Sequence, residues 1–157
     1  MKHFLSVLVL LVCMSALSGC GGSANAVTSP PEAQFVVLNE GGAPAGGNFT
    51  KKQTKVISTQ SDYASELVIY TSVIPGVVDF MKGKVLLVDM GPRASGGYSV
   101  RVASVDVAAN WVVANIELVV PGPNCIVTAA LTNPYQFVYI PTLKEILLSE
   151  KLVTTNC

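Results

Sequence analysis

Four carboxylates, Asp79, Asp89, Asp106 and Glu117, lie on or beside apolar β-type runs and are the side chains best placed to do chemistry. Two of them, converged to roughly 5–9.5 Å, would serve as acid and base on a glycosidic bond. Their spacing favours no such pair, and solvated strand positions account for all four. The only histidine is His3, inside an N-terminal leader. Without it there is no Ser-His-Asp or Cys-His arrangement and no histidine-based metal site. The glycines of Gly91–Gly97 have no following Lys-Ser/Thr, and they precede a strand, so they form no phosphate or dinucleotide loop. No cofactor and no metal is expected.

The leader reads as an address. Met1-Lys2-His3 is a short basic start, and Phe4 to Leu17 is apolar but too short to span a bilayer. Leu17-Ser18-Gly19-Cys20 resembles a bacterial lipobox, which implies that Cys20 is acylated and becomes the new N-terminus. The alternative is an ordinary secretory signal cut near Gly21. Glycine rather than aspartate at position 21 implies the outer membrane in a Gram-negative host. The expected organisation is a signal peptide over 1–19, a small-residue, proline-bearing tether over 20–33, and one domain over 34–157.

Cleavage removes Lys2 and leaves nine of ten Lys/Arg against ten Asp/Glu, a net charge near −1. That balance attracts neither nucleic acid nor an anionic surface. Contact with the lipid bilayer comes from the acyl chains on Cys20, each buried CH₂ contributing about 0.8 kcal/mol. With Cys20 acylated, Cys125 and Cys157 remain, and an even pair in an exported protein reads most simply as a disulfide. Closing that loop stabilises by roughly 3–4 kcal/mol in the chain-entropy model. Two free thiols are the alternative.

The elements that would position these groups are mostly strands. Met90 to Val100 joins the runs Lys84–Met90 and Tyr98–Val107, and its glycines with Pro92 predict a wide hairpin tipped by Arg93. Within Tyr98–Val107 the apolar parity switches, which predicts a bulge near Ala103–Ser104 or burial on both faces. Trp111 to Val120 alternates cleanly, with Asn115 and Glu117 on the polar side. Further strands are expected at Phe35–Leu38, Phe49–Ile57, Ile126–Leu131 and Tyr135–Ile140, with a long glycine turn over Asn39–Asn48. The lysines of Phe49–Ile57 read as a solvated edge. Ser61–Val73 is the one helix, capped by Ser61 or Asp62, with Tyr63, Leu67 and Tyr70 on one face and Glu66 on the other. Glu145–Val153 reads as a strand, although Thr142-Leu143-Lys144-Glu145 also fits a capping box. The fold class is therefore mainly β (α+β): six to eight strands, mostly antiparallel, as a flattened barrel or a sandwich, with one short helix.

Tyr98 and Tyr135, with Arg93 and Trp111, have the composition of an interface. Packing against the sheet explains the two tyrosines equally simply. Arg93, on a loop tip, is the single strongest candidate for partner contact. Gly96, Gly97, Tyr98 and Tyr135 complete the candidate set.

From Asp79-Phe80 to Ile140-Pro141 the chain resembles the PrcB C-terminal domain family. The matching pieces are Gly91 with Gly96-Gly97-Tyr98, the turn ending in Cys125, and Thr132-Asn133-Pro134-Tyr135 leading to Ile140-Pro141. The likeness extends over roughly 55–157, and its motifs are structural. The family is named for an accessory lipoprotein that helps keep a surface-bound, subtilisin-like protease complex assembled. The resemblance implies an envelope location and another envelope protein, such as a secreted or surface protease, as partner. It favours a non-catalytic, lipid-anchored binding module. The alternatives are a protease inhibitor presenting Gly91–Gly97 or Pro121–Cys125, and a carboxylate-only hydrolase of envelope polysaccharide.

Overall fold

Every residue from Val85 to Asp89 is buried, and the rest of the domain is layered around this strand, β3 (Lys84–Asp89). Leu86 and Val88, with Met90 just beyond the strand, face a second sheet; Val85 and Leu87 face a helix. A run with no polar alternation is what a strand covered on both faces requires. Each such side chain contributes about 1.5–3 kcal/mol on burial.

The computed structural model describes residues 31–43 and 51–157. The leader, Cys20, most of the tether and the part of the glycine turn at 44–48 lie outside the described residues. The first sheet has the order β1 (Val36–Gly42), β6 (Pro134–Ile140), β3, β2 (Gln53–Ile57), all antiparallel. The second has the order β4 (Ser99–Val107), β5 (Trp111–Pro121), β7 (Glu145–Thr155). The sheets pack face to face as a sandwich with no closed barrel, so of the two expected forms the sandwich is the one found.

Strand β1 runs on to Gly42, into the stretch expected to be a turn, and β2 starts only at Gln53. Strand β2 does lie at the sheet edge, as its lysines predicted. The bulge also falls where parity placed it: the β4–β5 register shifts between Val102 and Ser104. Glu145–Thr155 is a strand, but it pairs with β5 in parallel. The Pro141–Lys144 connection carries the chain from one sheet to the other, so β7 sets out beside the start of β5 and runs its way.

Several local expectations fail. Lys84–Met90 and Tyr98–Val107 are not a hairpin, because β3 and β4 belong to different sheets and the glycine loop crosses between them. Ile126–Leu131 is not a strand; its backbone bonds go to the glycine loop, with Gly96 N donating to Thr128 O at 2.9 Å. A short apolar run without a neighbouring strand makes no ladder. Helix α1 (Gln60–Tyr70) is shorter than expected and is capped by Thr59, whose hydroxyl accepts from Asp62 N at 3.1 Å. A cap of this type contributes about 1 kcal/mol.

Tyr63, Leu67 and Tyr70 face the first sheet as their spacing predicts, but Glu66 is buried beside them. Glu66 lies three residues from Tyr63 and four from Tyr70, hence on the same side of the helix. Its carboxylate accepts from Lys55 Nζ of β2 at 2.5 Å, which neutralises the charge. Pro31–Ala33, expected to close the tether, instead pair with the far end of β4.

Candidate functional site

The glycine loop is clamped rather than free. Arg93 N donates to Thr132 O at 2.7 Å, and Thr132 N donates to Arg93 O at 3.0 Å. The Thr132 hydroxyl donates to Ser95 O at 2.9 Å. The Arg93 guanidinium turns back to donate to Met90 O at 2.7 Å and lies over the Tyr98 ring, 5.5 Å from its centroid. Arg93 is therefore half-buried, not the exposed tip its place in the sequence implied. It stitches the loop between β3 and β4 to the loop between β5 and β6.

The two candidate glycines are needed for close approach. A Cβ on Gly96 would collide with the Thr128 hydroxyl. Gly97 has φ +85°, and a Cβ there would sit 2.8 Å from Val127 Cγ1. Neither position offers a side chain to a partner.

Asp89, weighed from sequence as an acid or base, is the centre of a buried polar knot. Its carboxylate accepts from the Tyr70 hydroxyl at 2.8 Å and from Gly91 N at 2.7 Å. The Asn133 amide, with its nitrogen turned inward, donates to Asp89 Oδ1 and to Gly91 O, each at 3.0 Å. Gln53 Nε2 donates to the Tyr70 oxygen at 2.5 Å. Burial raises the Tyr70 phenol well above its ordinary range, and the Asp89 charge adds to that. The knot joins α1, β2, β3 and the residue before β6. Asn133 and Thr132 escaped the sequence reading as functional groups. The available signal was Asp89 two residues before a glycine, the spacing of an Asx turn.

The other three carboxylates each have their own partner. Asp79 pairs with Lys82 at 2.9 Å, and the hydrogen bond from that ammonium holds its pKa below the usual value. Asp106 accepts from Asn115 Nδ2 at 2.8 Å, and Glu117 pairs with Arg101 at 2.6 Å. Among the described residues no cluster of three or more His, Cys, Asp or Glu could hold a metal ion. Cys125 and Cys157 form a disulfide, Cα–Cα 5.1 Å, which ties the end of β7 to the loop after β5.

Tyr98 and Tyr135 do meet, on one open cleft of about 600 Å³ between the β1 end, the β4 start and the β6 start. Glu40 and Val100 also line it. The Tyr135 ring is buried against Tyr70, 4.8 Å between centroids, and its hydroxyl donates to Asn39 Oδ1 at 2.7 Å. Burial raises that phenol too, partly offset by a hydrogen bond to Thr71. Gln136 spans the floor between the sheets: Val102 N donates to its oxygen, and its Nε2 donates to Glu40 Oε2, both at 2.7 Å. The cleft is thus lined by the exposed residue Glu40 and the half-buried Tyr98.

These features define a two-sheet β domain whose polar groups hold loops in place and whose open surfaces are clefts and loops. Residues 84–141, from β3 through β6, match the family model described as PrcB C-terminal. The match takes in strands of both sheets and the clamped loops, over a shorter span than the resemblance read from sequence. No curated protein and no solved structure matches the chain.

Proposed function

We propose that this chain is a lipid-anchored envelope protein whose β domain is a non-catalytic binding module, an accessory subunit that stabilises a protease complex. The observation that carries this reading is the PrcB C-terminal match over 84–141, since that family suggests a protease-complex accessory role. The Leu17–Cys20 motif supports the anchor. The engagement of Asp79, Asp89, Asp106 and Glu117 by separate partners supports a binding rather than a catalytic role. Affinity capture of the tagged full chain from cross-linked membranes tests it. Reproducible enrichment of one envelope protein, a protease above all, is expected; no enriched protein after cross-linking refutes it.

One observation favours a second reading, a loop-presenting protease inhibitor. Ile126 stands fully exposed (102%) next to the Cys125 disulfide, on a loop pinned again at Thr128 and Thr132. A rigid apolar loop loses little entropy when it enters a cleft. Inhibition of a subtilisin-like or cysteine protease, abolished by Ile126→Asp, would replace the first reading with this one.

A further inference from the structure

The described chain enters the domain at a defined place. Pro31 O accepts from Val107 N at 2.8 Å, and Ala33 N donates to Val105 O at 2.7 Å. Entry is therefore at the end of the sandwich where β4 turns into β5. Register puts other elements at that end: β3 begins there with Lys84 opposite Ile140, and β5 begins with Trp111 opposite Glu145. Lys84 Nζ donates to Lys144 O, and Lys144 Nζ donates to Ala108 O, each at 2.8 Å, so both sheets are stitched together at this end. Gln60, at the start of α1, holds the 76–78 segment through bonds to Gly76 O and Val78 N. The clamped loops and the disulfide are at the opposite end.

The entry end carries several exposed apolar side chains. Val77 is 98% exposed, Met81 84%, Leu143 63% and Trp111 43%. Single exposed apolar residues are ordinary on a protein surface. Their position relative to the chain's entry gives these a meaning. The ten residues 21–30 separate Cys20 from Pro31. Fully extended, they reach about 35 Å, roughly the length of an eleven-residue strand such as β5. A connection this short holds the entry end close to an acylated Cys20, so that weak surface contacts act at high effective concentration.

We propose that this end rests on the bilayer, with Trp111, Leu143, Met81 and Val77 seated at the headgroup level. The inference rests on the lipid anchor proposed above. Indole rings favour the membrane–water boundary, where an apolar body and a polar N–H are both accommodated. The same orientation turns Arg93, Ile126 and the Tyr98 cleft away from the membrane, toward a protein partner.

Trp111 is the chain's single tryptophan and reports on the question directly. The full chain is produced with its own leader, its mass is checked for acylation of Cys20, and it is reconstituted in phosphatidylethanolamine/phosphatidylglycerol vesicles with or without brominated acyl chains. Brominated lipid is expected to quench Trp111 roughly twofold, as for a ring at the headgroup–acyl boundary. In Met81→Asp/Leu143→Asp, with its circular dichroism unchanged, the quenching is expected to fall away. An acylated chain whose emission ignores brominated lipid overturns the inference and leaves the anchor standing. A chain without an acyl group overturns the anchor and the inference together. Shielding of Trp111 that depends on protein concentration rather than on lipid assigns this end to a second copy and overturns the inference.

Discussion

The Tyr70 hydroxyl donates to the buried Asp89 carboxylate at 2.8 Å, and this contact joins the last residue of α1 to the last residue of β3. Asp89 in turn holds Gly91 N and meets Asn133, so helix packing and loop geometry depend on one carboxylate. Removing one partner of a buried pair leaves the other desolvated and unsatisfied, at about 1–3 kcal/mol. Tyr70→Phe and Asp89→Asn are each expected to lose that much in urea denaturation. The two are expected to be non-additive by more than about 0.5 kcal/mol in a double-mutant cycle, because they share the contact. Strict additivity would show that the bond carries no coupling.

Alkaline pH should unfold the domain through its tyrosines. Burial raises the Tyr63, Tyr70 and Tyr135 phenols above the ordinary value of 10.0. In the unfolded chain they ionise first, so above pH 10 the unfolded state holds fewer protons and stability falls as pH rises. Below pH 10 these phenols are protonated in both states and impose no pH dependence. Absorbance at 295 nm should show the Tyr63, Tyr70 and Tyr135 phenols ionising only as structure is lost. Ionisation of these three phenols while the fold is intact would contradict this.

The glycines of the crossing loop should differ by what lies next to them. Gly91 has φ +78°, and a Cβ there would meet the Lys52 backbone nitrogen at 2.6 Å. Gly97 has φ +85° but would meet the movable Val127 side chain. The left-handed backbone alone costs an L-residue about 1–2 kcal/mol. Gly91→Ala is expected to cost more than Gly97→Ala, and Gly76→Ala, with nothing within 4 Å, to be close to neutral. Thermal denaturation of the three variants checks the order.

Cys157→Ser releases a loop of sequence separation 32. The expected loss is roughly 3–4 kcal/mol, equal to that produced by reducing the wild type. Limited proteolysis should then cut within 122–131, where the Arg93–Thr132 bonds become the main remaining clamp. An unchanged cleavage pattern would show that those backbone bonds hold the loop unaided.

What the amino-acid order determined by itself was local. The alternation of Trp111–Val120, the parity break beside Ala103, the spacing of Tyr63, Leu67 and Tyr70, and the turn glycines all express constraints between residues a few positions apart, and each reappears in the structure. The even cysteine pair also read correctly, as the Cys125–Cys157 bond shows. What only the tertiary structure decided was which strands are neighbours. Met90–Val100 has the composition of a hairpin turn, yet it crosses between sheets, and Glu145–Thr155 lies parallel to β5. Pairing is settled by which apolar faces cover one another across the whole chain, and no short window contains that information. For the same reason Arg93 read as a free tip and Asp89 as a solvated acid. Their partners, Thr132 and Asn133, lie some forty residues further along and come close only once the sandwich has closed.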